Sequence, residues 1–220
     1  MSIKIDRIIF QEVNAEKRGH PFKRAFDLLF SLCALLLLSP IYLIIAIAIK
    51  VCSPGPAFYS QYRLGKGGIL FKCYKFRTMH TDADHLLTHI LQHDQALARE
   101  WQSRQKLTLD PRVFALGFFL RKFSLDELPQ FYNVLKGDLS VVGPRPYMVS
   151  QLEKLGIRAE AILSIKPGVT GIWQTSGRSS TSFERRISLD SEYVTKSSLW
   201  LDILLIAKTF KVIFKNKDAH

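Results

Sequence analysis

The hydrophobic positions are concentrated in one place. Residues 28–49 form a run without a charge, broken in character only by Ser31, Ser39, Pro40 and Tyr42. Lys23, Arg24 and Asp27 precede it, and Lys50 follows. Such a run is long enough to span a bilayer core, and it is too long for a signal-peptide core. Pro40 interrupts it, because proline lacks the N–H and collides with the carbonyl four residues earlier, at Leu36. Ser39 can offer its hydroxyl to a carbonyl freed in this way. As helices, the two halves rise roughly 17 Å and 15 Å. Neither crosses a core of about 30 Å alone. Basic residues flank both ends, so the excess of positive charge selects no orientation. The pattern predicts a re-entrant helix–break–helix that enters and leaves by the same face, in preference to a kinked span.

The remaining chain has weaker periodicities. Residues 1–22 read as a polar leader at the membrane surface. Ser53-Pro54-Gly55-Pro56 ends the hydrophobic segment in a turn cluster. Residues 57–64 and 69–79 flank Gly65-Lys66-Gly67-Gly68, which predicts a β-hairpin. Helices are predicted over 84–107, 151–165 and 199–214. The last carries Trp200, Leu201, Leu204, Leu205 and Phe210, with Lys208, Lys211, Lys215 and Lys217 towards its end. That composition suits a helix lying in the headgroup layer, a core helix being the other reading. The expected fold class is α+β and mostly helical. Its divisions are a leader (1–22), a re-entrant membrane helix (23–50) and a further domain (51–220) ending in an amphipathic helix, which the resemblance described below implies to be catalytic and cytoplasmic.

Composition narrows the function classes. The chain has 220 residues, 47% hydrophobic and 23% charged, which excludes a disordered chain. Lys and Arg number 31 against 19 acidic residues, a formal charge of +12 that suits anionic partners. The hairpin interleaves Arg63, Lys66, Lys72, Lys75 and Arg77 with aromatic residues. Beside a membrane segment, this favours lipid headgroups or a phosphorylated substrate over nucleic acid. Cys33, Cys52 and Cys73 are an odd set without CxxC, which argues against a disulfide scaffold and a cysteine zinc site. A reducing compartment fits them.

Several short stretches could carry chemistry. In Ser124-Leu125-Asp126-Glu127-Leu128-Pro129-Gln130, a helix started by Pro129 and closed by Gly137 puts Asp126 and Glu127 in the turn feeding its positive end. Adjacent carboxylates there could hold magnesium and present a nucleophile. They could equally be an ordinary acidic helix start. Val141-Val142-Gly143-Pro144-Arg145-Pro146 holds one arginine between prolines, presented at little ordering cost to a phosphate. Lys166-Pro167-Gly168-Val169-Thr170-Gly171-Ile172-Trp173-Gln174, followed by Ser176-Gly177-Arg178-Ser179-Ser180, is glycine- and hydroxyl-rich and fit for a ligand loop, without matching a P-loop or dinucleotide fingerprint. Asp82-Ala83-Asp84 and the file His85, His89, His93 read as a helix start and a solvated face rather than metal sites. From residues alone, an enzyme, a magnesium-dependent membrane phosphohydrolase and a basic membrane adaptor all remain open.

Taken in order, these motifs resemble the bacterial sugar transferases, the monotopic phosphoglycosyl transferases that start membrane glycan assembly. The resemblance runs over residues 23–214. It rests on KRAFD, Ser39-Pro40, Pro54-Gly55-Pro56, KCYKFRTM, Asp110-Pro111-Arg112, SLDELPQFYNVLKGDLSVVGPRP, KPGVTGIWQ, and LDSEYV followed by SLWLDI. It implies transfer of a sugar-1-phosphate from a UDP-sugar to undecaprenyl phosphate, with release of UMP. Asp126 would be the nucleophile, and Glu127 would help hold Mg2+, with Asp190 and Asp202 as further metal candidates. Arg121, Pro144, Arg145, Pro146 and Arg178 would bind substrate, and Ser39-Pro40 would break the membrane helix. It also implies a short form at the cytoplasmic face of the bacterial inner membrane, in contact with anionic lipids, with a homodimer left open. The stretch from Trp173 to Arg178 and the 84–107 helix lean towards members that transfer hexose-1-phosphate. Phe114, Phe118, Phe119 and Phe123 are more aromatic than that family leads one to expect.

Overall fold

A computed structural model describes residues 22–104, 107–176 and 181–215. The leader up to residue 21, Arg178 and Lys217 lie outside them. Helix α1 (Lys23–Leu37) and helix α2 (Ser39–Cys52) meet at a 60° bend. Pro40 sits in the first turn of α2, where its missing N–H costs nothing. Ser39 Oγ donates to the Leu36 carbonyl at 2.8 Å, the carbonyl that a continuous helix would have bonded to Pro40. Among the described residues no single helix is long and apolar enough to cross a membrane. The bent pair passes by length and composition together. Leu29, Leu32, Leu36, Leu37, Leu43, Ile44 and Ile47 are exposed along it.

Strands β1 (Phe58–Leu64) and β2 (Leu70–Phe76) form the expected hairpin, paired antiparallel from Phe58↔Phe76 to Leu64↔Leu70. The predicted 84–107 helix is two: α3 (Ala83–His93) and α4 (Gln95–Arg104). Asp94 separates them, its carboxylate accepting the N–H groups of Ala96 and Leu97 as a new helix start. Helix α5 (Ala115–Lys122) leads to a 3-10 turn at Leu125–Glu127 and then to α6 (Gln130–Lys136). Strand β3 (Ser140–Val142) pairs parallel with β4 (Gly168–Thr170). Between them, the predicted 151–165 helix is broken into 3-10 turns and two short helices, α7 (Leu152–Leu155) and α8 (Ala159–Leu163). The break falls at Gly156. Helices α9 (Ile172–Thr175), α10 (Phe183–Lys196) and α11 (Leu199–Lys215) complete the described fold.

Three buried clusters tie these elements together. Val134, Leu139, Val141, Val142, Tyr193 and Leu205 join α6, β3, α10 and α11. Leu64, Tyr147, Ile162, Leu163 and Ile187 join the hairpin to α8 and α10. Ile45, Ile49, Phe76, Phe114 and Leu120 fasten α2 to β2 and α5. Helix α11 is amphipathic. Leu205 is core, whereas Trp200, Leu204, Phe210, Lys208 and Lys211 face outwards.

Polar contacts fix the bent pair to the rest of the molecule. Lys23 Nζ lies 2.6 Å from Asp202 of α11. The buried Asp27 carboxylate accepts from Ser140 Oγ and Val141 N–H, each at 3.0 Å. Arg24 donates to the Val134 and Leu135 carbonyls, at 2.7 and 3.0 Å, capping the end of α6. Tyr42 Oη donates to the Leu128 carbonyl at 2.5 Å. The bent pair is thus bonded directly to the turn that carries the two carboxylates.

Candidate active site

Asp126 and Glu127 lie in the 3-10 turn between α5 and α6. Ser124, just before them, has φ 55°, a left-handed conformation that side-chain-bearing residues seldom adopt. It allows the chain to reverse sharply after α5 and lay the turn against β2. Pro129 caps α6 rather than occupying its first helical position, and Gly137 closes that helix at φ 92°, where glycine is unstrained.

β2 supplies the counter-charge. Lys75 Nζ is 2.6 Å from Glu127 Oε1 and 3.5 Å from Asp126 Oδ2. Burial disfavours the Lys75 ammonium, but Glu127 and Asp126 outweigh it and hold its pKa above the ordinary lysine value. Asp126 is buried, and this desolvation raises its pKa above the ordinary carboxylate range. Lys75 and Arg121 pull it down, and the Glu127 charge pushes it up. Arg121 comes from the last turn of α5, its Nε donating to Thr78 Oγ1 at 2.9 Å.

The turn opens on a cleft of about 290 Å3, lined by Arg63, Lys75, Glu127, Gln130, Arg145 and Gln174 among others. Cys73 also faces it, but burial pushes that thiol up to about 11, so it is no competing nucleophile near neutrality.

Arg145 reaches the cleft through a tight backbone crossing. A Cβ on Gly168 would lie 2.0 Å from Gly143 N, so β3 and β4 can run side by side into the Pro-Arg-Pro loop only with glycine there. The Pro144 carbonyl accepts from Gly168 N–H at 2.8 Å, and Pro146 lines the cleft. Arg145 N–H donates to Asp190 Oδ2 at 3.2 Å, and Tyr147 Oη donates to the same oxygen at 2.7 Å. Burial pushes Asp190 up to about 6, although these two bonds and the charges of Arg145 and Arg186 oppose the rise. The Arg145 guanidinium rests on the Trp173 ring, 4.8 Å from its centroid.

Of the residues singled out from sequence, Glu127, Arg145 and Pro146 share the cleft, Asp126 adjoins it, and Arg121 acts electrostatically on Asp126. The metal candidates do not converge. Asp190 holds the Arg145 loop, and Asp202 is bound to Lys23 and to Tyr193 Oη, the latter at 2.7 Å. Among the described residues no three His, Cys, Asp or Glu side chains come together as a metal site. The adjacent carboxylates of Asp126 and Glu127 still fit magnesium. That ion takes one or two carboxylates and completes its shell with water and substrate phosphate oxygens. Lys75 and Arg63 were legible only as members of the basic hairpin, and Trp173 only as part of the 166–174 loop, without a place in the site. Basic and aromatic residues were visible in the hairpin, but nothing local showed which of them meets the dyad.

Residues 18–216 match the family described as bacterial sugar transferase. An undecaprenyl-phosphate galactose phosphotransferase of Salmonella typhimurium is 44% identical over 94% of this chain and 44% of its own length. The exopolysaccharide production protein ExoY of Rhizobium meliloti is 41% identical over 92% of this chain and 89% of its own. A UDP-glucose:undecaprenyl-phosphate glucose-1-phosphate transferase of Escherichia coli is 39% identical over 90% and 41% respectively. The chain thus spans less than half of the Salmonella and Escherichia proteins and most of ExoY.

Proposed function

The chain belongs to the bacterial sugar transferase family, and from that premise we propose that it moves a sugar-1-phosphate from a UDP-sugar to undecaprenyl phosphate, releasing UMP. One observation carries the reading. A carboxylate dyad neutralised by Lys75 opens on the cleft that Arg145 lines, and Tyr42 bonds the same turn to the bent apolar helix pair. This supports a reading in which phosphate chemistry and lipid contact share one short segment.

In the proposed reaction a carboxylate oxygen of Asp126 attacks the β-phosphorus of the UDP-sugar. The bond from that phosphorus to the bridging oxygen breaks, and UMP leaves with the electron pair. The phosphate of undecaprenyl phosphate then attacks the same phosphorus, and the Asp126 carboxylate departs unchanged. Phosphoryl transfer of this kind depends chiefly on positioning and on neutralising charge spread over oxygens. Arg145 binds the nucleotide phosphates, Lys75 and Arg121 oppose the rise that burial imposes on the Asp126 pKa, and Glu127 would hold Mg2+ with Asp126 beside it. That ion, when bound, neutralises charge on the phosphate oxygens.

The bent pair makes a re-entrant anchor in this proposal. It keeps the active site at the cytoplasmic face of the bacterial inner membrane, where the acceptor's phosphate stays because its tail is in lipid. The basic surplus suits two phosphorylated substrates and anionic lipids. The sugar proposed is a hexose, in line with the galactose and glucose in the names of two relatives.

The test is a panel of UDP-sugars with undecaprenyl phosphate, scored by UMP release and lipid product. A UDP-hexose should yield UMP and lipid-linked phospho-sugar together. Free sugar phosphate with unmodified lipid would instead identify a phosphohydrolase, and no turnover would leave a membrane adaptor.

A further inference from the structure

Behind the cleft, a second guanidinium shares the indole that supports Arg145. Arg186, on α10, rests on the Trp173 ring with its carbon 4.2 Å from the centroid, and Arg145 rests on the same ring at 4.8 Å. Trp173 is only 6% exposed, so both stacks are shielded from water, where an arginine–aromatic contact is strongest. Arg63, which lines the cleft, is a third cation of the group. Arg145 acts electrostatically on both Arg63 and Arg186, and burial with that repulsion lowers the pKa of each.

This arrangement gathers positive charge with buried N–H groups that the described residues leave unmet. Arg63 Nη1, Arg145 Nε, Arg186 Nε and Trp173 Nε1 are all buried and donate to no acceptor among the described residues. Asp190 is the carboxylate acting on Arg186, and burial favours its neutral form. Like charges gathered in a poorly solvated place, with unmet N–H groups, are costly in the protein alone. An anion with several oxygens would meet both needs. Guanidinium groups, with their planar fork of donors, suit a phosphate in particular.

We propose that Arg186, stacked beside Arg145 on Trp173, is a further binding residue for a phosphate group of the substrates. This rests on the reaction proposed above but assigns a residue that the reaction does not require. The phosphate could come from the nucleotide or from the lipid acceptor, and the two are separated by titration. The full chain in detergent is titrated calorimetrically with UMP and, separately, with a polyprenyl phosphate, for the wild type, Arg186→Gln and Arg186→Lys. Melting without ligand is recorded for each.

Arg186→Gln should weaken one of the two ligands about tenfold or more, as expected for a lost hydrogen bond to a charged group. Its ligand-free melting temperature reads folding separately, because the variant loses the Trp173 contact together with a repelling charge. Arg186→Lys keeps the charge without the planar guanidinium fork and should fall between the two. Loss confined to UMP assigns the site to the nucleotide, and loss confined to polyprenyl phosphate assigns it to the acceptor. Unchanged affinity for both ligands overturns the inference, as does a lower melting temperature in both variants with binding by the folded fraction unchanged. A wild type that binds polyprenyl phosphate but not UMP would sink the proposed donor, while the lipid titration would still decide the role of Arg186.

Discussion

Lys75 Nζ lies 2.6 Å from Glu127 Oε1 on a strand 52 residues upstream, and the same ammonium is within 3.5 Å of Asp126. It joins the hairpin to the dyad and contacts both carboxylates. Replacing Lys75 by Gln should reduce turnover by about 10²–10³-fold, the usual loss when a preorganised electrostatic contact at a reacting centre is removed. It should also move the acidic limb of the pH–rate profile to higher pH. Lys75 holds Asp126 down, so without it protonation of the nucleophile begins earlier as pH falls. A profile that stays in place, with turnover near the wild type, would show that Lys75 does not act on Asp126.

Asp190 should leave a mark on stability. Its pKa is about 6 in the folded chain against 3.8 for the free side chain. Between those values the folded state holds more protons than the unfolded state, so this carboxyl stabilises most at low pH. That contribution is lost as pH rises towards 6 and stays lost above it. The shift corresponds to about 3 kcal/mol. Asp190→Asn removes the titration and keeps an acceptor for Tyr147 and Arg145. Relative to the wild type, its melting temperature without ligand should therefore improve from pH 4.5 to pH 7. A constant difference across that range would contradict the assignment.

Asn133 is fully buried, and its side chain donates to the Lys72 carbonyl and to Asp138 while accepting from Tyr74 N–H. It thereby locks α6, next to the dyad, onto the strand that carries Lys75. Asn133→Ala should cost about 2–4 kcal/mol, because it leaves buried partners unsatisfied on both elements. Thermal melting in detergent would register this, and a loss below 1 kcal/mol would show that the lock is redundant.

The bend between α1 and α2 should determine topology. A tag placed before Lys23 should lie on the same side of the membrane as the dyad, as judged by protease access in right-side-out and inverted vesicles. Changing Ser39 and Pro40 together to leucine removes the proline and the hydroxyl bonded to Leu36. The straightened helix, roughly 45 Å by its rise per residue, can cross the bilayer. The tag should then move to the opposite side and activity should fall, since the Lys23–Asp202 and Tyr42–Leu128 contacts would part. A tag already opposite the dyad in the wild type would rule out the re-entrant form.

Features with local causes were legible in the sequence. The proline break, the hairpin around its glycines and the helix closed at Gly137 follow from backbone restrictions within a few residues. Even the Ser39 bond to Leu36 could be anticipated. The split at Asp94 was equally local but hidden by apolar residues that continue through it. Helix α10 was missed, although Ser182 caps it by accepting from Arg185 N–H. Long-range pairing was not legible. Asp190 and Asp202 entered as metal candidates through the resemblance alone, and only the fold showed their contacts with tyrosines, a backbone N–H and Lys23. Lys75 and Trp173 became visible as site residues only when strands and helices distant in sequence came together.

The most direct test of the covalent reaction is intact-mass analysis of the purified chain after incubation with a UDP-hexose and Mg2+ but no lipid acceptor. The expected result is a mass increase of one phospho-sugar, mapped to Asp126, absent in Asp126→Asn and discharged by adding undecaprenyl phosphate. Product formation by Asp126→Asn at a rate near the wild type, with no adduct on either protein, would contradict it.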